Sequence, residues 1–200
     1  MLSGSKSTFF LYFLLLLIDG ILHCHAWGTA RHHFVVRGDP NVSDALTING
    51  QPGALYPCSK LGTYKLNVQH GQTYLLRIIN AALNTVLFFA IAKHNLTVVG
   101  ADASYTKPLT TNYLTVGPGQ SYDALLHADQ SPNHQYYMAA RAYSSAAAAL
   151  FDNTTTTAIV QYRKNHRYTR SPPRCFPYLP YYNDTRAFIH SICQGAKKLG

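Results

Sequence analysis

Apolar and polar positions along this chain alternate in short bursts, with no helical period. Tyr64, Leu66 and Val68 are separated by Lys65 and Asn67, a two-residue period that places the apolar side chains on one face of a strand and leaves the other wet. Comparable stretches rich in β-branched and aromatic residues predict strands at Ala45–Ile48, Tyr64–Val68, Tyr74–Ile79, Thr85–Ile91, Leu96–Val99, Tyr113–Val116, Ser121–Leu126, Tyr136–Ala142 and Thr156–Tyr162. Val86–Ile91 is apolar throughout, which predicts a strand covered on both faces. Asn49-Gly50, Pro52-Gly53, His70-Gly71 and Gly117-Pro118-Gly119 supply the turns between them. Strands this short, recurring every 8–12 residues or so, predict an all-β chain folded as a Greek-key β-sandwich. Ala146–Ala149 reads as a small-residue loop or one helical turn.

The two ends break the pattern. Lys6 precedes an unbroken apolar run, Phe9–Ile18, which Asp19 and Gly20 interrupt. A membrane-spanning helix needs about 20 apolar residues, so the run is too short to span. It reads instead as the core of an export leader covering residues 1–30, with small residues at Gly28 and Ala30 marking a cut after Ala30. A cut after Ala26 is the alternative. The expected product is a secreted, extracellular protein with no membrane association after cleavage. Beyond Tyr162, Ser171-Pro172-Pro173, Phe176-Pro177 and Leu179-Pro180 predict an irregular Pro-rich tail over residues 164–200, because proline cannot donate to a ladder.

Composition sharpens this in two ways. All eight acidic residues are Asp, and the absence of Glu removes the best helix-forming acid. The net charge of +9 raises the question of nucleic acid. Residues 38–162 balance Lys60, Lys65, Arg77, Lys93, Lys107 and Arg141 against Asp39, Asp44, Asp102, Asp123, Asp129 and Asp152, so the excess lies in the tail. A neutral body offers no stripe of cations to track a phosphate backbone, which argues against a nucleic-acid partner.

Four N-x-S/T triplets, at Asn41, Asn95, Asn153 and Asn183, are glycosylation acceptors on an exported chain. Cys24 leaves with the leader, and the odd remainder of Cys58, Cys175 and Cys193 predicts an unpaired thiol, with Cys58 the candidate. His70, His94, His127 and His134 form no His-x-His pair and read as surface or turn histidines. Gly117-Pro118-Gly119-Gln120-Ser121 is not a nucleophile elbow, because the serine lies past the second glycine. Asp102 lacks a nearby carboxylate partner and reads as a turn residue. Tyr178, Tyr181 and Tyr182 read as linker aromatics that pack on neighbouring surfaces. A cut after Ala30 exposes Arg31-His32-His33. The terminal amine, two amides and the His33 imidazole would then form a square-planar nitrogen set suited to Cu(II) or Ni(II), with His32 and His33 as its residues.

Six separated segments, DPNVSDALTINGQPGALYPCS, LLRIINAALN, LTVVGADASYTKP, GPGQSYD, YYMAARAY and FDNTTTTAI, occur in this order between Asp39 and Ile159. Together they resemble the second domain of plant laccases, which are secreted multicopper oxidases. The resemblance implies a cupredoxin-like domain over residues 38–163, a remnant of a first-domain strand over 31–37, and a linker toward a third domain over 164–200. It implies a parent activity, the oxidation of phenolics in lignin polymerisation, lignin degradation and detoxification, coupled to reduction of O₂ to water. It also implies copper, held by His-x-His pairs and a Cys flanked by histidines in the first and third domains, and a Cys58 whose partner lies in the first. His23-Cys24-His25 is similar to the family's His-Cys-His triplet, but the next histidine is His32, too far along, and the triplet follows the leader's apolar run. The expectation is a truncated laccase-type chain with no catalytic residues and none of the family's copper ligands, inactive alone and prone to self-association through uncovered faces. The alternatives are a non-catalytic secreted binding or modulatory module, or an incomplete gene model.

Overall fold

A computed structural model describes residues 9–18, 45–56, 63–145, 151–164, 167–168 and 175–189, with 9–18, 164 and 167–168 described by their backbone alone. Twelve strands run in chain order: β1 Phe9–Ile18, β2 Ala45–Ile48, β3 Lys65–Gln69, β4 Thr73–Asn80, β5 Val86–Ile91, β6 Leu96–Ala101, β7 Ser104–Thr111, β8 Leu114–Val116, β9 Ser121–His127, β10 Gln135–Tyr143, β11 Thr155–Lys164 and β12 Arg167–Tyr168. One sheet has the order β2-β1-β4-β9-β6-β7; the other has the order β12-β11-β10-β5-β8, with β3 also paired to β11. All nine strands anticipated from the hydrophobic pattern are present, displaced by at most a few residues at their ends. β1, β7 and β12 are additional.

Alternation explains how the sheets face each other. β4, TYLLRIIN, buries every second residue, and Tyr74, Leu76, Ile78 and Asn80 all point inward. β3 buries Leu66 and Val68 and leaves Lys65, Asn67 and Gln69 in water. Leu46, Ile48, Leu76, Ile78, Phe89, Leu96, Leu126, Met138 and Val160 belong to one continuous core between the sheets. Each such side chain contributes about 1.5–3 kcal/mol on burial. The part-exposed Arg77–Asp123 ion pair, 2.8 Å across β4 and β9, is worth at most about 1 kcal/mol. Apolar packing therefore decides the fold.

β5 is buried at every position from Leu87 to Ile91, as its sequence predicts. Its inner face joins the core through Leu87, Phe89 and Ile91. The outer cover comes from the chain itself. Phe88 packs edge-on against Tyr113 and Tyr143, and Tyr143 stacks on Phe188 with centroids 4.3 Å apart. Phe188 belongs to a short helix over residues 185–189, capped by Asp184, whose carboxylate accepts from the Ala187 amide at 2.9 Å. The Ser144 amide donates to the Tyr182 carbonyl and the Tyr137 amide to that of Cys175. The Pro-rich segment thus folds back over the second sheet.

Two buried polar contacts fix the loops. Asn80 donates from Nδ2 to the carbonyls of Thr85 and Val116, at 2.8 and 2.9 Å, and accepts from the Ala82 amide. Gly119 donates its amide to the Asn80 carbonyl, so one side chain and its own backbone hold the Gly117-Pro118-Gly119 turn. After β2, Asn49-Gly50 makes a tight turn with φ of 49° and 75°. Gly53 follows at φ 87°, and a Cβ there would overlap the backbone of Thr157 on β11. This close approach lets the Ala54 amide reach Thr157 Oγ1 at 3.0 Å and Thr156 Oγ1 donate to the Pro52 carbonyl.

The two glycines separate strain from overlap. Gly50→Ala meets open space and is expected to cost only the left-handed backbone penalty, about 1–2 kcal/mol. Gly53→Ala meets both terms and is expected to cost about 2–4 kcal/mol. Denaturant midpoints of the two variants check the order, and equal losses would contradict the overlap.

Candidate functional site

The four histidines among the described residues gather at one pole. His70 lies in the β3–β4 turn, His94 follows the turn after β5, His127 ends β9 and His134 precedes β10. Four rings cap the core there: Tyr74 at the start of β4, His94 just before β6, Tyr136 at the start of β10 and Tyr162 near the end of β11. His94 lies 5.2 Å from Tyr136, edge to face, and 6.0 Å from Tyr162, nearly parallel. Tyr136 and Tyr162 meet at 5.7 Å.

Hydrogen bonds assign every proton at His94. Nδ1 is 2.7 Å from the Ala92 carbonyl, which can only accept, so Nδ1 carries the hydrogen. Nε2 therefore accepts from the Tyr162 hydroxyl at 2.8 Å, and that hydroxyl in turn accepts from the Gln130 amide at 3.2 Å. The Tyr74 hydroxyl accepts from the Gln69 amide at 2.7 Å, and the Tyr136 hydroxyl donates to the Ser131 carbonyl. Burial pushes the His94 ring below the usual imidazole range, with the Ala92 carbonyl and the Asp129 charge opposing. Burial likewise raises the phenols of Tyr162 and Tyr136. At neutral pH the His94, Tyr136 and Tyr162 rings are uncharged.

This corrects the reading of His94 as a surface histidine: it is 3% exposed. The signal was present in the alternation. His94 shares the parity of Leu96 and Val98, both buried, while Lys93 and Asn95 face solvent. The same extension of buried stripes places Tyr74, Tyr136 and Tyr162. His70 and His127 are exposed, and His127 Nδ1 lies 2.9 Å from Thr73 Oγ1. His134 Nδ1 is buried with no hydrogen-bond partner.

Copper needs several imidazoles, or two with a thiolate, converging on one point. Both nitrogens of His94 are already engaged, and among the described residues no three of His, Cys, Asp and Glu are grouped closely enough to hold a metal ion. These residues do not fit the family's copper. Cys175 is a half-buried free thiol packed at the edge of the core. Asp102 is a structural residue: its Oδ1 accepts from the Ser121 amide at 2.7 Å and ties the β6–β7 turn to β9. Asn95, Asn153 and Asn183 are exposed. Tyr178 and Tyr181 are exposed, and Tyr182 packs on Phe151. His23, Cys24, His25, His32, His33, Asn41, Cys58 and Cys193 lie outside the described residues.

The depressed imidazole makes stability depend on acid. In the unfolded chain His94 binds a proton near pH 6.5, while the folded ring resists until lower pH. Stability is therefore level above about 6.5, falls as pH drops through that value, and stops falling below the folded value. His94→Gln should flatten this acid limb in denaturation curves measured across pH. Tyr162→Phe should cost about 1–3 kcal/mol at neutral pH, by leaving His94 Nε2 and the Gln130 amide unpaired.

Comparison with known proteins places this geometry. The family profile described as Multicopper oxidase matches residues 25–165. Laccase-14 of Arabidopsis thaliana is 59% identical over 75% of this chain and 26% of its own length, and Laccase-12 of the same plant is 62% identical over 73% and 25%. The crystal structure of laccase from Botrytis aclada superposes with a TM-score of 0.58, at 26% identity, over 72% of this chain and 27% of that one. The chain spans about a quarter of the length of the curated relatives it matches. Its sandwich matches a cupredoxin-like domain of multicopper oxidases, and the chain belongs to the multicopper oxidase family.

Proposed function

We propose that this chain supplies the copper-free β-sandwich of a laccase-type oxidase, and that alone it does not couple phenol oxidation to reduction of O₂. The observation that carries this reading is the commitment of both His94 nitrogens to Ala92 and Tyr162, at the one pole where histidines accumulate. Laccase chemistry requires one copper to take single electrons from phenols and a three-copper cluster to pass four of them to oxygen. Roughly eight imidazoles serve the cluster, and a His₂Cys set the first copper. The described residues hold no such set, so the role left to the domain is to position domains that do.

Purified protein reconstituted with copper is expected to retain far less than one equivalent after dialysis, to show no intense blue thiolate band, and to consume no oxygen with a phenolic substrate. Stoichiometric blue copper, or copper-dependent oxygen uptake, would overturn the proposal. Association between copies, through sandwich faces that other domains of such an oxidase would cover, is part of this reading; a single monomeric mass by light scattering at micromolar concentration would contradict it.

Secretion into the plant cell-wall space accompanies this reading, supported by the leader-like run and by three exposed acceptors. Deglycosylation of secreted protein is expected to lower its mass. Single Asn→Gln changes at Asn95, Asn153 and Asn183 should each remove one increment if that position carries a glycan, and no mass change in any of them would refute the assignment.

A further inference from the structure

β1 is the strand whose residues have two competing assignments. The run FFLYFLLLLI reads as a leader, yet it lies inside a sheet, between β2 and β4. Seven residues, Phe9 to Leu15, pair in parallel with Tyr74 to Asn80. Leu15 to Ile18 then pair antiparallel with Ile48 to Ala45. Leu15 is shared, so β1 acts as a splint that carries β2 onto the first sheet. Among the described residues no other strand pairs with β2, and β9 is the only other strand on β4.

Neighbours on the far side hold the flanking strands independently. The Leu46 amide donates to Asp152 Oδ2 at 3.2 Å, and the loop after β2 is fixed to Thr156 and Thr157. β4 is laddered to β9 through seven residue pairs. A gap left by β1 would therefore keep its walls, each with a row of backbone groups lacking ladder partners.

We infer that the β4 edge, closed at one end by β2, is a strand-acceptor site for an extended uncharged apolar peptide of at least seven residues laid parallel to β4, and that its occupant is Phe9–Ile18 of this chain. The strand is held by main-chain hydrogen bonds and its own apolar composition, as in strand addition to sheet edges generally. Nothing in that recognition requires a covalent link, so the segment remains as a bound strand once the chain between β1 and β2 is cut. Export and folding thereby compete for the same ten residues.

A site-specific protease sequence placed between positions 27 and 32 of the full chain tests this. After cutting in native buffer, the N-terminal piece should co-elute with the domain on size exclusion and separate only in denaturant. Leu14→Cys with Ile79→Cys, paired in register, should form a disulfide that joins the two pieces by mass spectrometry. Leu14→Cys with Val99→Cys, on β6, should not. Leu14→Pro, which removes a ladder donor, should release the piece. Release of the unaltered piece in native buffer overturns the inference, as does retention of the Leu14→Pro piece at equal strength. The cysteine pair can also be read in the uncut chain, where failure to cross-link Leu14 to Ile79 overturns it.

Discussion

The buried stripe of β4 is the constraint on which the rest of this structure depends. Tyr74, Leu76, Ile78 and Asn80 line one face of a single strand, and each end carries a polar device. Asn80 ties the turn that feeds β9 back against β4, while the Tyr74 hydroxyl secures the β3–β4 turn through the Gln69 amide. Between them the apolar residues set the depth at which the opposite sheet packs. A shift of one residue in this strand would turn Asn80 and Tyr74 outward and move Leu75, Arg77 and Ile79 into the core. Strong specification of register there propagates through β9 to β6 and β7.

What the sequence made legible follows from the same alternation. Strands with one wet face, such as β3, or with no polar residue, such as β5, announce themselves. β7 did not, because its residues are mostly exposed and include Lys107 and Pro108, features of an edge strand that resists further pairing. The turn before it is Asp102-Ala103, both at positive φ, with no glycine to signal a hairpin. β1 was hidden differently: ten apolar residues near an N-terminus read as a leader, and only its neighbours in space reveal a strand. The ring cluster was half legible. Its histidine was visible as a residue type, but its burial needed the parity of β6 carried back two positions.

In the multicopper oxidase family histidine signifies copper, yet a histidine's chemistry is decided by what its two nitrogens already touch. At His94 a carbonyl and a phenol occupy both, and the ring works as a neutral wedge between tyrosines. The C-terminal segment makes a similar point about surfaces. The outer face of β5, which its apolar sequence requires to be covered, is shielded by Tyr113, Tyr143 and Phe188 from the same chain.

The parallel pairing of β3 with β11 has a temporal meaning. Lys65 meets Ile159 and Gln69 meets Arg163, so a strand made early waits for one made late. Hairpins such as β6–β7 close within a few residues of synthesis, but the second sheet has no seat for β3 until position 163 has left the ribosome. Until then Leu66 and Val68 face solvent. A chain with so many distant pairings folds slowly, and its interval of exposure, set by the rate of translation, is when it has most need of a chaperone.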